Sequence, residues 1–276
     1  MGLSRVLGLV LAMLATLAGC MHASNTKPAR EAGVLPPAER LERVLLVGNS
    51  LSYRNDLPSH LAAIATAMRG ARVEVEMIAG GGERIDQHRA RGLVQRELAT
   101  GHYSALVLQE WGRGLRCDEQ VAQLGFDCAA SHAAHRALAD AAKRYGLRIV
   151  LLGTYSMDAE DALALDAAER KLAREIGVAH VGLGDWPAAR IRAPERAWLD
   201  ADGAHPGLDL TLLMALRTSA ALYGDRALPV PLEIAYRDYR GEATPKPDRL
   251  ASLQTLQAPQ RVRRLVDSDL QGLEVR

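Results

Sequence analysis

From residue 43 to residue 224 the sequence alternates between short, mostly apolar segments and longer amphipathic stretches, and this alternation restricts the folds open to the chain. The short segments predict five β-strands, at 44–47, 72–78, 104–109, 148–152 and 178–183. The amphipathic stretches predict helices that begin near residue 57 and that cover 83–98, 129–144, 158–176 and 206–223. Strands that alternate with helices at this spacing favour a parallel sheet with helices on both faces. We therefore expect an α/β fold, as a single three-layer α/β/α domain with a five-stranded, mostly parallel sheet.

The N-terminus has the pattern of an export signal. Arg5 precedes an uncharged apolar run over 6–18, which is short for a membrane span and typical of a signal peptide. The run ends in Leu17-Ala18-Gly19-Cys20, which resembles the lipobox of bacterial lipoproteins. The resemblance implies cleavage before Cys20 and a lipid on its sulfur. Since Met21 follows rather than aspartate, it also implies an outer-membrane location that faces the periplasm. An ordinary secretory signal with a chance cysteine is the alternative.

The segments that flank the predicted domain differ from it in composition. Residues 21–42 are polar and contain three prolines, which is typical of a flexible tether. Residues 225–276 contain five prolines and either wrap the domain or form a small helical appendix. Hydrophobic residues make up 48% of the chain, enough for a large core, and the formal net charge is +1 without a long basic run. This charge pattern excludes the basic footprint of a nucleic-acid-binding protein.

The cysteines fit an exported protein. If Cys20 carries a lipid, Cys117 and Cys128 remain as a pair, and an oxidising compartment favours a disulfide between them. Two free thiols are the alternative. A zinc site with His132 and His135 is disfavoured, because these histidines lie three residues apart and no CxxC motif accompanies them. We therefore expect no metal.

A serine at the end of the first predicted strand is the candidate nucleophile. Ser50 follows Val47-Gly48-Asn49 at the carboxyl edge of the predicted sheet. Serine needs a base to remove its proton, and a carboxylate to orient that base. Of the eight histidines, only His205 has an aspartate, Asp202, three residues before it. The pair lies between the fifth strand and the last helix, so we expect Asp202 to hold His205 Nδ1 and His205 Nε2 to face Ser50.

These residues carry a family resemblance over about 43–224. Gly48-Asn49-Ser50-Leu51 resembles the GDSL block of SGNH hydrolases, in a GNSL variant, and Asp202-x-x-His205 is similar to the final block of that superfamily. The resemblance implies the flavodoxin-like SGNH hydrolase fold and a triad of Ser50, His205 and Asp202 that cleaves ester bonds without a cofactor. An α/β-hydrolase is disfavoured, because the sequence around Ser50 lacks the second glycine of G-x-S-x-G.

The resemblance also implies an oxyanion hole with three hydrogen-bond donors. One is the backbone N–H of Ser50, and the second is that of a glycine after the second strand. In this sequence the second strand is followed by Gly80-Gly81-Gly82, in which Gly82 is the first candidate and Gly81 the next.

The third donor of the family, an asparagine after the third strand, is missing. The sequence at that point is Leu108-Gln109-Glu110-Trp111-Gly112-Arg113. We expect Gln109 to supply a side-chain N–H in its place, with Arg113 as a second candidate. Trp111 either lines an acyl or sugar pocket or packs under the disulfide loop.

The other ionisable groups near these motifs are expected to have no catalytic role. Glu110 and Asp86 are interpreted as structural or solvated carboxylates, and His88 and His102 as surface residues.

Together these observations predict a lipid-anchored serine esterase of the bacterial cell envelope. Its partners would be a small-molecule or glycan ester, with an acetylated envelope glycan favoured, and the membrane through Cys20. The alternative is a catalytically weak lipoprotein that binds envelope glycans on the same fold, because a fold does not determine a function.

Overall fold

A computed structural model describes residues 41–184, 196–240, 243–251 and 258–273, which belong to one compact unit. The predicted signal peptide, Cys20 and nearly all of the predicted tether lie outside the described residues. None of the helices in the described ranges combines the length and the apolar character that crossing a membrane requires.

Five parallel strands form the central sheet: β1 Glu42–Gly48, β2 Val73–Ala79, β3 Ala105–Gln109, β4 Arg148–Leu152 and β5 Ala179–Val181. Their order is β2-β1-β3-β4-β5. The register pairs Gly48 with Ala79 and Val47 with Leu108, so β2, β1 and β3 end side by side. In a doubly wound sheet of this order, ligands bind outside the carboxyl ends of the strands, at the point where the strand order reverses. That point lies between β1 and β3.

Helices cover both faces of the sheet: α1 Ser50–Tyr53, α2 Leu57–Arg69, α3 Ile85–Arg91, α4 Leu93–Ala99, α5 Glu119–Gln123, α6 Cys128–Arg144, α7 Ala159–Ile176, α8 Leu208–Tyr223 and α9 Asp267–Leu270. Successive residues of β1 enter opposite cores. Val44 and Leu46 pack with α2 and α8, whereas Leu45 and Val47 pack with α3, α4, α6 and α7. All four side chains are fully buried, which explains the continuous apolar run in the sequence. The predicted three-layer α/β/α architecture is confirmed.

Most strand ends differ from the prediction by one or two residues, and three helical features differ for a clear physical reason. The helix expected over 83–98 is two helices, because Gly92 adopts a left-handed conformation (φ +71°) that ends α3. The stretch after β3, expected to be irregular, contains α5, whose first turn is capped by Asp118. Helix α8 begins at Leu208 rather than at 206, because Pro206 still forms an isolated β-bridge with Leu199.

The C-terminal segment wraps the domain with strands rather than as a helical appendix. Strands β6 Leu232–Arg237 and β7 Gln260–Leu265 pair antiparallel. The backbone N–H of Arg237 donates to the buried Asp56 carboxylate at 2.8 Å, just before α2. Ala251 exchanges two backbone hydrogen bonds of 2.8 Å with Met77 at the outer edge of β2. The segment is therefore attached to the domain at both α2 and the edge of the sheet.

Candidate active site

The candidate nucleophile lies on a constrained turn between β1 and α1. Ser50 is the first residue of α1 and is partly exposed. The buried Asn49 caps this helix, since its Oδ1 accepts the backbone N–H of Leu51 at 3.0 Å. Its Nδ2 donates to the carbonyl oxygen of Glu83 at 3.1 Å. Asn49 therefore ties the nucleophile turn to the glycine segment that follows β2.

Buried polar groups support this turn from below. His88 Nε2 lies 2.8 Å from the carbonyl oxygen of Gly48, and because a carbonyl only accepts, Nε2 carries the hydrogen. Burial lowers the pKa of His88, so the ring is neutral. A Cβ on Gly48 would lie 2.5 Å from Ser52 Oγ, so only glycine fits there. The expectation that His88 is a surface residue was wrong, because its ring is buried against the end of β1. His102 is exposed, as predicted.

Asp202 and His205 form the expected pair. Asp202 Oδ2 accepts a hydrogen bond from His205 Nδ1 at 2.7 Å. Asp202 Oδ1 accepts the backbone N–H groups of His205 (2.9 Å) and Ala204 (3.0 Å). These backbone donors, together with the His205 ring, hold the pKa of Asp202 well below its usual range. The carboxylate therefore stays charged and fixes the Nδ1–H tautomer of His205, which leaves Nε2 as the basic nitrogen.

The loop that carries this pair is attached to the nucleophile helix. Arg54 follows Ser50 by one helical turn and donates from Nε to Asp200 Oδ2 at 3.2 Å and from a terminal nitrogen to Asp202 Oδ2 at 3.3 Å. Asn55 Nδ2 donates to the carbonyl oxygen of Pro206 at 2.5 Å. Neither Ser50 Oγ nor His205 Nε2 has a hydrogen-bond partner within the described ranges. Catalytic hydrogen bonds are often long in the absence of substrate.

A second contact holds the loop from the segment that follows β4. The hydroxyl of Tyr155 donates to the carbonyl oxygen of Ala204 at 2.6 Å. Burial, with the nearby Asp202 charge, raises the pKa of Tyr155 well above its usual range, so the hydroxyl keeps its proton. The roles of Tyr155, Arg54 and Asn55 are not evident from local sequence, because they depend on contacts with a loop about 50 to 150 residues away.

The glycine segment after β2 forms a tight turn. The N–H of Glu83 donates to the carbonyl oxygen of Gly80 at 3.2 Å, and Gly82 has φ +68°, a conformation that favours glycine. A Cβ on Gly81 would lie 3.3 Å from the hydroxyl of Tyr53 in α1. Gly81 and Gly82 are exposed. In the part of the chain that the structure describes, the backbone N–H groups of Ser50, Gly81 and Gly82 donate to no other group and are available to a ligand.

Gln109 does not occupy the expected place. Its side chain is fully buried: Oε1 accepts the Ser52 hydroxyl at 2.8 Å, and Nε2 donates to the carbonyl oxygen of Glu110. The amide thus supports α1 from beneath, instead of donating at the exposed turn where Ser50 lies. The second candidate, Arg113, forms an ion pair with Asp161 at 2.6 Å.

Among the described residues, two side-chain groups have the spacing of metal ligands, and bonds within the protein involve members of both. Cys117 and Cys128, beside His132, are joined in a disulfide, so their sulfurs are not the thiolates that zinc binds. The second group is Asp166, Glu169 and His180. There Glu169 accepts the N–H of Thr154 at 2.8 Å, and its other oxygen lies 3.5 Å from His180 Nε2.

Glu110 is a buried structural carboxylate. It accepts the backbone N–H of Trp111 at 2.7 Å and the hydroxyl of Ser131. Asp86 forms an ion pair with Arg84 at 3.0 Å.

Several solved structures match the fold, among them the following three. A variant of Axe2, an acetyl xylan esterase from Geobacillus stearothermophilus, has a TM-score of 0.53 at 13% identity, over 67% of this chain and 96% of that one. The lipase Lip_vut3 from a goat rumen metagenome has a TM-score of 0.51 at 12% identity, over 67% and 100%. LAE5, an alpha/beta hydrolase enzyme from the metagenome of Lake Arreo, has a TM-score of 0.50 at 14% identity, over 66% and 96%.

No protein-family model matches the sequence, and neither does any curated protein. The likeness shows that the chain shares the fold of these esterase, lipase and hydrolase structures.

Substitution of Arg54 tests whether its contacts hold the Asp202–His205 loop in place. We expect Arg54→Gln to increase hydrogen exchange of residues 200–206, because both ion pairs to the loop are lost. Each such pair contributes only about 0.2–1 kcal/mol to global stability, so the free energy of unfolding should fall by no more than about 2 kcal/mol.

Hydrogen–deuterium exchange with mass spectrometry measures the first effect, and urea unfolding measures the second. Arg43→Gln is the matched control, since Arg43 pairs with Glu74 on β2 and not with the loop. Equal exchange in the loop for the Arg54 and Arg43 variants would contradict the proposed attachment.

Proposed function

We propose that this protein is a serine esterase that cleaves carboxylic esters by acyl transfer. The observation that carries the proposal is the 2.7 Å contact between Asp202 Oδ2 and His205 Nδ1, in a loop that Arg54 attaches to the helix of Ser50. A charged carboxylate, a histidine of fixed tautomer and a serine at the switch point of the sheet are the parts that this chemistry needs. The SGNH fold supports the same reaction class, since acetyl xylan esterase and lipase structures share it.

The proposed reaction has two halves. Ser50 Oγ attacks the ester carbonyl carbon while its proton passes to His205 Nε2, and the tetrahedral intermediate collapses as His205 returns that proton to the leaving alcohol. Water then attacks the acyl-enzyme, with His205 as base, and the carboxylic acid leaves as Ser50 recovers its proton. These steps use only the chain and water. The Arg54 guanidinium also neutralises part of the charge on Asp202 and Asp200, which lie on one loop.

Charge that develops on the carbonyl oxygen needs donors that are already in place. The backbone N–H groups of Ser50 and Gly82, with Gly81 as the alternative to Gly82, are proposed for this role. The assignment is supported because, among the described residues, none of these N–H groups donates a hydrogen bond to another protein group. Asn49 moreover joins the two turns that carry them.

The triad is tested by single substitutions in the purified full chain, with p-nitrophenyl acetate as substrate. Ser50→Ala and His205→Ala should reduce kcat to background, and Asp202→Asn should reduce it by about 10⁴-fold, because the imidazole would lose its required tautomer. His102→Ala, at an exposed histidine, is the matched control and should retain full activity. If Ser50→Ala hydrolyses the ester as fast as the native chain, the esterase proposal fails, and glycan binding without turnover becomes the better account.

The proposed substrate carries a small acyl group, such as the acetyl group of an envelope glycan. Several polar groups lie on the nucleophile helix or contact the Asp202–His205 loop, and they include Arg54, Asp200 and the Tyr155 hydroxyl. A cavity of about 710 Å³ does exist, but α2, β2 and β6 enclose it and no triad residue lines it. Polar surroundings suit a sugar alcohol better than a long acyl chain.

A series of p-nitrophenyl esters measures this preference. We expect kcat/KM to be highest for the acetate and to be at least about tenfold lower for the decanoate, because polar groups near the site offer a long acyl chain little apolar surface to bury. Release of acetate from acetylated xylo-oligosaccharide, followed by a coupled acetate assay, extends the test to a glycan. A higher kcat/KM for the decanoate would point to a lipid ester instead.

The lipid anchor is proposed from the sequence around Cys20. It would hold the enzyme at the periplasmic face of an outer membrane, next to envelope glycans. We expect the full chain, expressed in a Gram-negative host, to incorporate labelled palmitate and to sediment with the outer membrane. Cys20→Ala should abolish both, whereas Cys117→Ala should leave the labelling unchanged. Palmitate incorporation that persists in Cys20→Ala would contradict the anchor.

A further inference from the structure

The proposed oxyanion hole lacks the side-chain donor that SGNH hydrolases place after the third strand. Gln109, the expected substitute, is buried with its amide bonded to Ser52 and Glu110. Arg113 is paired with Asp161. Two backbone donors remain, on Ser50 and on the glycine segment, and a third donor would have to come from another side chain near them.

Trp111 lies at the position that such a donor requires. β3 is the neighbour of β1, and Ser50 and Trp111 each come two residues after the end of their strand. Gly82 follows β2 on the other side of β1. A Cβ built on Gly82 would have Trp111 Nε1 at 3.9 Å. The indole nitrogen therefore reaches across the end of β1 to the glycine whose backbone N–H is the proposed second donor.

The indole ring is fixed in this position by several contacts. It stacks on Phe126 with ring centroids 4.7 Å apart and an interplanar angle of 18°. Phe126 lies within the loop that the Cys117–Cys128 disulfide closes, and the Arg84 guanidinium lies 5.5 Å from the Phe126 centroid. The backbone N–H of Trp111 is held by Glu110 at 2.7 Å. A donor that is held rigidly before the reaction loses no reorganisation energy when charge develops.

The chemistry of the indole suits the role. Trp Nε1 carries one hydrogen and only donates, so it cannot take a proton from Ser50 or compete with His205 as base. Trp111 is partly exposed, and in the described part of the chain its Nε1–H donates to no protein group.

We propose that Trp111 is a catalytic residue whose indole N–H is the third donor of the oxyanion hole. The proposal rests on the serine-esterase function proposed above. In it, the N–H groups of Ser50, Gly82 and Trp111 converge on the carbonyl oxygen of the ester, one from the end of each of three adjacent strands. The disulfide loop then has a function as well, since it carries the aromatic ring against which Trp111 is stacked.

The direct test is Trp111→Phe in the full chain, which keeps an aromatic ring against Phe126 and removes the N–H together with part of the indole. We expect kcat for p-nitrophenyl acetate to fall by about 10²–10³-fold, the usual effect of removing one oxyanion donor, with KM changed less than about threefold. Tyr145→Phe, at a half-exposed ring that loses its hydroxyl, is the matched control and should leave both constants unchanged.

A second measurement follows the Trp111 indole N–H in the native chain, where the site carries no substitution. In the native chain with ¹⁵N-labelled tryptophan, phosphonylation of Ser50 by a fluorophosphonate places a P–O oxygen where the oxyanion forms. The Trp111 indole N–H resonance should then move downfield, while that of the buried Trp198 should not. The Trp111→Phe spectrum assigns the resonance, and should that variant not fold, Trp111→His serves for the assignment.

The outcomes separate this inference from the esterase proposal. If Ser50→Ala is inactive but Trp111→Phe keeps the native kcat, or if the indole resonance does not shift on phosphonylation, Trp111 is not a donor and the esterase proposal stands. If Ser50→Ala is fully active, the esterase proposal itself fails, and this inference fails with it.

Discussion

The side-by-side ending of β2, β1 and β3 is the constraint on which the candidate site depends. The register brings Gly48 level with Ala79 and Val47 level with Leu108, so the turns that follow these strands must meet. Parallel strands direct all of their carboxyl ends to one edge, and the strand order reverses between β1 and β3. A serine, a glycine turn and a tryptophan separated by 30 or so residues in the chain are thereby brought to one place. The site follows from the topology rather than from local sequence.

The strand order does not fix the position of the loop with Asp202 and His205. Electrostatic contacts position this loop. Charges alternate along Arg240, Asp200, Arg54 and Asp202, with contacts of 2.7, 3.2 and 3.3 Å. Burial alone would raise the pKa of Asp200, but its hydrogen bonds and ion pairs, those with Arg240 foremost, together lower the pKa, so the carboxylate remains charged. Since Arg240 belongs to the C-terminal segment and Arg54 to the nucleophile turn, the loop is held between two distant parts of the chain. Residues 225–276 thus contribute to positioning the site.

The sequence predicted those features that local pattern determines. Strands buried on both sides appear as apolar runs, as in Val44–Val47, and the Asp202–His205 bond depends on a spacing of three residues. The features that were missed depend on distant contacts. Nothing local to His88 indicates that its ring meets Gly48 forty residues earlier, and nothing local to Gln109 indicates that Ser52 will bind its amide. Gly92 was only partly predictable. A glycine within a helical pattern permits a break, but the helix ends there only because the backbone of Gly92 is left-handed.

Gln109 cannot both support the nucleophile turn from beneath and donate a hydrogen bond to the oxyanion. Gly48 leaves a space that Ser52 and Gln109 fill, since a Cβ on Gly48 would lie within 3 Å of both side chains. Once Gln109 accepts the Ser52 hydroxyl and donates to Glu110, withdrawing it would leave buried polar groups unpaired, at a cost of about 1–3 kcal/mol each. The amide is thus retained beneath the nucleophile helix, and a side-chain donor at the exposed edge has to be another residue. Glu110 is the next residue, but it is buried and accepts hydrogen bonds from the backbone N–H of Ile85 and the hydroxyl of Ser131. Trp111 is the side chain that follows.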